Sequence, residues 1–520
     1  MIRRFAPFVL YTGLYAVLLP LVWYAIAPDS ISYISIARHY AAGHWGEAVN
    51  AYWGPALSWI IAALLLVGMP EIAAAHAAVW LTGLAAVYAL RRAVAVFGLS
   101  GPTVALVEYT GAAVAALLAL AFVGSDVLMA AILLLYFSLI FDREYGVRSK
   151  RGLLCGVLGA AAYVTKSFGL PFFVAHFVLM NALHYLRGRD HRQRIAGHAL
   201  AGLVAAVVLS APWIAAVSAH TGKLTLGTSG SWNYRLVGPE SPGYPQYGRL
   251  LPPPHPHALS RWEAPGGDSL PDWSPLASAR NLKHQIRLVL RNAKVLYRDL
   301  LAFTPFALAI VLAYAVWGWR GGRVRWEFPV LTFLFLPVPY LLVTFQDRYA
   351  WVLVFLLLLM AGAVVQAAGP AMRGVPWAAL AVVLFGSFLL SPMLGVVSQR
   401  GSGKGLYQAA SVLNEQGVEG RLASCGEWNQ SLELAYFGGD RFWGTTGETA
   451  AEAAVADELR PPEQGSVVLD VPAAGELRRN GVNYYVVWGA CTKVDPEGTA
   501  GPEITRGSIP GLLVYRLAEK

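Results

Sequence analysis

The chain has 520 residues, 56% of them hydrophobic and only 14% charged, with 40 Lys and Arg against 31 Asp and Glu for a formal charge of +9. That composition describes a polytopic membrane protein. The excess of positive charge does not mark a nucleic-acid binder, because the basic residues fall in clusters at alternate ends of apolar runs. These clusters are Arg3-Arg4, Arg91-Arg92, Arg143 to Arg151, Arg187 to Arg194, Arg320 to Arg325 and Arg373, a positive-inside pattern.

The fold class expected is a polytopic α-helical membrane protein of about eleven spans, followed by a small C-terminal α/β domain. The spans are predicted near 8–27, 71–90, 102–123, 127–141, 152–165, 169–186, 196–218, 301–318, 328–345, 349–367 and 375–394, several of them shorter than the ~17 residues of an ordinary crossing. Ala25-Ile26-Ala27 has the form of a signal-peptidase site, but the preceding apolar run is too long and Pro28 disfavours cleavage, so an uncleaved first span is expected. Pro55 to Met69 is apolar as well. An extra crossing there would invert every later basic loop, so it reads as re-entrant or interfacial.

With the N-terminus inside, the outward segments are 28–70, 124–126, 166–169, 219–300, 346–348 and the tail from about 395. Directly after the first span, Pro28 to Gly43 reads as a short helix with Ile31, Ile34, Ile36, Ala37 and Ala41 at helical spacing and a glycine stop, lying in the interface and carrying Asp29 at the membrane surface. The 219–300 loop is long and rich in Pro, Gly and aromatics, including Trp232, Tyr234, Trp262 and Trp273, which marks a functional lid rather than plain disorder. Residues 281–298 form a basic amphipathic helix with Leu282, Ile286, Val289, Leu290 and Ala293 on one face.

Two domains follow: a membrane domain over 1–395, including the outward loops 28–70 and 219–300, and an outward α/β domain over 400–520. In the tail, strands are expected from Arg421, at Arg441-Phe442-Trp443, over Asn483 to Trp488 and over Leu512 to Tyr515. Helices are expected over Ser431 to Phe437, Ala450 to Leu459 and Gly475 to Arg479. No glycine-rich phosphate fingerprint occurs in it. Three cysteines make no disulfide framework, although Cys425 and Cys491 both follow predicted strands and could pair in an oxidising compartment; two unpaired thiols fit as well.

The residues that could carry chemistry sit in the outward loops. Asp29 has an ordinary explanation as a helix N-cap, worth ~1 kcal/mol, and so does Asp126 in the polar break Gly124-Ser125-Asp126. Ionisable groups at that depth are nevertheless expensive unless paired or wet. Lys166 and Arg348 lie on the side where positive-inside logic disfavours cations. Lys166 could snorkel and Asp347 could simply pair with Arg348, or the two bases could hold an anion such as a lipid phosphate, the guanidinium bidentately. A carboxylate could then orient a divalent metal or act as base toward an acceptor hydroxyl. His255-Pro256-His257 alone is too thin a signal for a metal site.

Four ordered features resemble the GT-C superfamily of integral-membrane glycosyltransferases, in particular the branch of the protein O-mannosyltransferases and the lipid A aminoarabinose transferase. They are Asp29-Ser30-x-x-Tyr33 with Ala37 and Gly43 after the first span, Ser125-Asp126 after the third, Thr165-Lys166-x-x-Gly169-Leu170-Pro171, and Asp347-Arg348-Tyr349 opening a late run. The resemblance implies transfer of a sugar from a polyprenyl-phosphate donor to an acceptor on the extracytoplasmic face of a plasma (inner) membrane. Asp29 and Asp126 would be the catalytic acids and would hold a divalent metal such as Mg or Mn, and Lys166 and Arg348 would bind the lipid phosphate. Tyr33, Trp232 and Tyr234 are the aromatic candidates for acceptor or sugar contact. Where many members carry two neighbouring acids, Ser30 follows Asp29 here, and Glu47 is the acid left to substitute. A transporter or flippase of a lipid-linked substrate is the rival reading; it calls for paired broken-helix repeats, of which the sequence shows no sign.

Overall fold

The computed structural model describes residues 2–241, 243–266, 270–321, 326–369, 374–446, 471–489 and 502–517. The chain divides into two compact units. One, here the helical unit, comprises Met1–Val22, Val49–Tyr234 and Trp273–Arg400; the other, the sheet unit, comprises Trp23–Ala48, Arg235–Asp272 and Gly401–Lys520.

The helical unit is that of a multi-pass membrane protein. Among the described residues seven helices are long and apolar enough to cross a membrane: Phe5–Val22, Glu71–Val96, Pro102–Ala121, Gly169–Arg187, Arg192–Thr221, Asp347–Ala368 and Pro376–Ser398. Shorter apolar helices occupy Asp126–Ile140, Arg151–Thr165 and Glu327–Leu341. Asp347–Ala368 is the central one, with 83% of its apolar window buried, whereas Arg192–Thr221 is 28% buried and turns Leu200, Val204, Val207 and Val208 outward, as a lipid-facing helix does.

Small residues bring two of these helices together. A Cβ on Gly152 would collide with the His198 carbonyl, and one on Gly156 with the Gly202 carbonyl, so Arg151–Thr165 and Arg192–Thr221 pack backbone to backbone. Ala56–Leu66 has 11 residues, about 16 Å of helix against ~30 Å of hydrocarbon.

Prolines shift two expected boundaries. The amphipathic helix extends over Ala279–Phe303, capped by Ser278, and breaks by 87° before the next helix, Ala307–Arg320. Thr304 is extended (φ −156°), as a residue preceding Pro305 prefers to be, so the apolar helix begins at Ala307 rather than at 301. Likewise the run expected over 328–345 is two pieces, Glu327–Phe335 and Val338–Leu341, separated at Pro337, which cannot supply the helical N–H.

The sheet unit is built on a four-stranded sheet of order β2-β1-β3-β4, with β1 Arg421–Cys425, β2 Arg441–Thr445, β3 Tyr484–Trp488 and β4 Leu512–Arg516. β1 runs parallel to β2 and β3, and β3 antiparallel to β4. The helix Trp428–Gly438 connects β1 to β2, the crossover that parallel pairing requires. Ala423, Cys425, Trp443, Leu477, Tyr485, Val487 and Leu517 form the core.

β2 would be an open edge, but the long loop covers it. Phe442 N–H donates to Leu259 O (2.8 Å), Leu251 N–H to Trp443 O (2.7 Å) and Gly248 N–H to the Thr445 hydroxyl (2.8 Å). Pairing in this way satisfies edge groups that would otherwise invite another chain. Thus residues 235–272 fold with the sheet. The helix expected over 450–459 and Cys491 lie outside the described residues; Cys425 is disulfide-bonded and Cys155 is a buried free thiol.

Candidate functional site

In the helical unit, three of the expected side chains meet. Asp126 opens the helix Asp126–Ile140, and Lys166 follows the last residue of Arg151–Thr165. These helices are antiparallel neighbours joined by a turn at their other end, so the two residues emerge at the same end. The Lys166 ammonium forms an ion pair and hydrogen bond with Asp126 Oδ1, with the two side chains 19% and 5% exposed. Ser125 holds the cap position and Asp126 is the first helical residue, so its carboxylate serves to neutralise a cation in apolar surroundings rather than to cap the helix. Gly169 makes the geometry possible. A Cβ there would strike the Ala162 carbonyl, and Gly169 N–H closes the turn on Lys166 O at 2.7 Å.

Tyr349 links this pair to Arg348. The Lys166 Nζ lies 5.0 Å and the Arg348 guanidinium 5.8 Å from the Tyr349 ring centroid, and Arg348 also lies 4.4 Å from Phe122, distances at which a ring face attracts a cation. Arg348 Nε donates to Gln346 Oε1 at 2.8 Å. Tyr340 stacks on Tyr349 (4.3 Å between centroids) and meets Phe168 (4.6 Å). Asp126, Lys166, Phe168, Tyr340, Arg348 and Tyr349 enclose a cavity of about 20 Å³, room for about one water molecule.

Asp29 belongs to the sheet unit. The helix Pro28–Ala41 is capped by Ala27 and starts with Pro28, which fits the first turn because its missing N–H is unpaired there anyway. Asp29 is thus one residue inside the helix and does not cap it; its Oδ1 accepts from Trp262 Nε1 at 2.9 Å, and Ser32 donates to Trp262 O at 3.1 Å. Nearly every residue of this helix is buried, Ser30, Ser32, Ser35 and His39 included. Burial on a single apolar stripe, as the sequence suggests, does not describe it.

Of the aromatic candidates, Tyr33 and Trp232 are buried, Trp232 edge-on to Tyr52 at 5.6 Å. Tyr234 is partly buried; its ring stacks on Trp273 at 4.6 Å and its hydroxyl lies 3.3 Å from Gln285 Oε1.

Ligand-type side chains cluster elsewhere than at the two aspartates. Among the described residues, groups of three metal-ligating side chains are His39, His255 and Glu263, and His39, His44 and Glu47; neither contains Asp29 or Asp126. One oxygen of Asp126 is taken by Lys166 and one of Asp29 by the Trp262 indole. The sequence signal for the histidine cluster is faint: His39, His44 and Glu47 in one stretch, His255-Pro256-His257 and Glu263 in another, far apart in the chain.

No family model and no curated protein matches this sequence. Solved structures do. The aminoarabinose transferase ArnT of Cupriavidus metallidurans bound to undecaprenyl phosphate superposes with TM-score 0.60 at 14% identity, over 98% of each chain. The Archaeoglobus fulgidus oligosaccharyltransferase AglB, in complex with an inhibitory peptide and a dolichol-phosphate, gives TM-score 0.52 at 10% identity, over 94% of this chain and 70% of that one. The same oligosaccharyltransferase with Zn and sulfate gives 0.54 at 10%, over 92% and 68%. The fold is therefore the GT-C fold.

Proposed function

We propose that this chain transfers a sugar from a polyprenyl-phosphate donor to an acceptor at the extracytoplasmic face of the membrane. The observation that carries the reading is the gathering of Lys166 and Arg348 around Tyr349, with Asp126 beside them, at one end of a helix hairpin. Two cations at membrane depth suit the headgroup of an anionic lipid carrier, and two of the similar structures hold a polyprenyl phosphate. In this reading the N-terminus is cytoplasmic, which the alternating basic clusters support, and the α/β tail lies on the extracytoplasmic side of a plasma (inner) membrane.

In this reading the carrier phosphate takes the place of Asp126 on Lys166 and adds Arg348, which requires the small cavity to widen. The acceptor nucleophile attacks the anomeric carbon and the bond from that carbon to the phosphate oxygen breaks. The acceptor's proton passes to the Asp29 carboxylate as general base, and the sugar inverts. Lys166 and Arg348 then balance the charge that builds on the departing polyprenyl phosphate. Trp262, donating to Asp29, holds that carboxylate in orientation. Tyr234, partly exposed, offers an aromatic face to a sugar ring.

The test is release of free polyprenyl phosphate from a panel of labelled polyprenyl-phosphate sugars, by wild type and Asp29→Asn in lipid nanodiscs, with and without chelator. Release by wild type that Asp29→Asn abolishes supports the transferase. Donors bound but left intact by wild type would favour a transporter.

A further inference from the structure

Within the sheet unit, four imidazoles and two carboxylates converge from two distant stretches of chain. His39, His44 and Glu47 come from the segment 23–48, and His255, His257 and Glu263 from 235–272. The β2 edge fixes the second stretch, since Arg441 donates to the carbonyls of Ala258 (3.1 Å) and His255 (3.0 Å). The centre is one carboxylate oxygen, Glu263 Oε1, which lies 2.6 Å from His39 Nε2 and 3.3 Å from His255 Nε2. The side chains of His39 and Glu263 are 4% and 2% exposed.

Two nitrogens converging on one buried carboxylate oxygen are what a tetrahedral ion needs. At the usual bond lengths of about 2.0–2.1 Å its ligand atoms stand about 3.3 Å apart. His255 and Glu263 already meet that spacing, and His39 meets it by a shift of less than an ångström. The other nitrogen of His255, Nδ1, is buried without a hydrogen-bond partner and faces Glu47 Oε2 at 3.4 Å. A carboxylate behind a ligating imidazole fixes its tautomer and raises its basicity. Glu47 is itself held by His257 Nδ1 at 2.8 Å, and His257 stacks on His44 at 4.3 Å.

We propose that His39, His255 and Glu263 bind one divalent transition-metal ion of zinc type, with Glu47 orienting His255. A donor set of two imidazoles and one carboxylate suits zinc and disfavours Mg, a hard ion with oxygen ligands. The second group, His39, His44 and Glu47, shares His39, but its other members are 40% and 29% exposed, and the buried set is the better cage. The ion would clip the helix Pro28–Ala41 to the segment carrying Trp262, whose indole holds Asp29. That consequence, unlike the binding itself, rests on the role proposed for Asp29.

Binding is read without a transfer assay, so it stands or falls independently of the transferase reading. Full-length protein in nanodiscs, stripped with chelator and then titrated with Zn²⁺, is expected to take up one tightly held ion per chain by mass spectrometry of the metal. His255→Gln and Glu263→Gln should weaken that uptake at least 100-fold, and Asp29→Asn should leave it intact. Co²⁺ in the same place should give the intense visible bands of a four-coordinate site, absent in His255→Gln. No stoichiometric ion in wild type, unchanged uptake in Glu263→Gln, or loss in Asp29→Asn alone would overturn the proposal. Should the cage variants misfold, wild type alone decides: Zn²⁺ must protect His255 from diethyl pyrocarbonate in peptide mapping, and equal labelling with and without Zn²⁺ sinks the site.

Discussion

The two charged clusters are built in opposite ways. In the helical unit, Asp126, Lys166 and Arg348 stand at helix ends, and each is placed by the backbone beside it: Asp126 as a first residue, Lys166 by the turn that Gly169 closes, Arg348 in the short 3₁₀ turn Asp347–Ala350. In the sheet unit, His39 stands on the helix Pro28–Ala41 and the other His and Glu side chains on short helical turns and irregular segments, and what fixes the second stretch against the first is pairing of residues 248–260 with the β2 edge. Apolar surroundings force the first cluster to neutralise its charges in pairs and stack its cations on rings. The second can gather six titratable groups because burial against β2 and mutual hydrogen bonding stabilise them. Burial would by itself raise the Glu263 carboxyl, but hydrogen bonds from His255 and His39 bring it down to about 2. Helix ends thus place single charges, while a folded segment against a sheet edge gathers several.

Asp29→Asn should break the comparison most sharply. A loss of about 10²–10⁴-fold in donor cleavage, with an unchanged unfolding temperature, would make the sheet unit's Asp29 essential and not merely structural; a loss under tenfold would assign the chemistry to the helical unit alone. Next, Lys166→Met leaves Asp126 buried and uncompensated and is expected to cost about 3–5 kcal/mol in thermal unfolding. The double variant Asp126→Asn/Lys166→Met should recover most of that loss, and failure to recover it would show that the pair does not stabilise through mutual neutralisation. Arg348→Gln removes a charged donor that lies against the Tyr349 and Phe122 rings. It should weaken polyprenyl-phosphate binding roughly 10- to 100-fold while leaving the unfolding temperature in place, separating binding from stability in the same cluster.

The smallest effect concerns pH and the sheet unit. Burial pushes the Glu433 carboxyl up to about 7, and burial, outweighing the hydrogen bond from Gly420 N–H, pushes Asp440 up to about 6. Acids with raised values in the folded state bind protons there that the unfolded chain has released. Stability should therefore decline as pH rises from about 4.5 toward 7 and level off above it. Glu433→Gln should flatten that decline by about 1–3 kcal/mol in unfolding followed across pH; a decline of the same slope in the variant would remove Glu433 as its cause.

Much of the helical unit was legible in the sequence, because helix length, apolarity and basic clusters are local properties read against a bilayer of known thickness. Tail strands at 421–425, 441–445, 484–488 and 512–516 stood out for a similar reason: short runs between turn residues, aromatic or β-branched in the last three, announce themselves locally. Asp126, Lys166 and Arg348 were readable as anomalies, charges where apolar surroundings make them costly. Their partners were not, since whether Asp126 caps a helix or neutralises Lys166 depends on two helix ends meeting. The His39–His255–Glu263 cluster was illegible for the same reason at longer range. The chain by itself determined which segments are long and apolar, which form strands, and which charges stand out of place. Tertiary structure alone decided that the long aromatic loop closes the β2 edge, and so which histidines face which carboxylates, because edge pairing is satisfied by whichever distant backbone arrives and leaves no local pattern in the side chains.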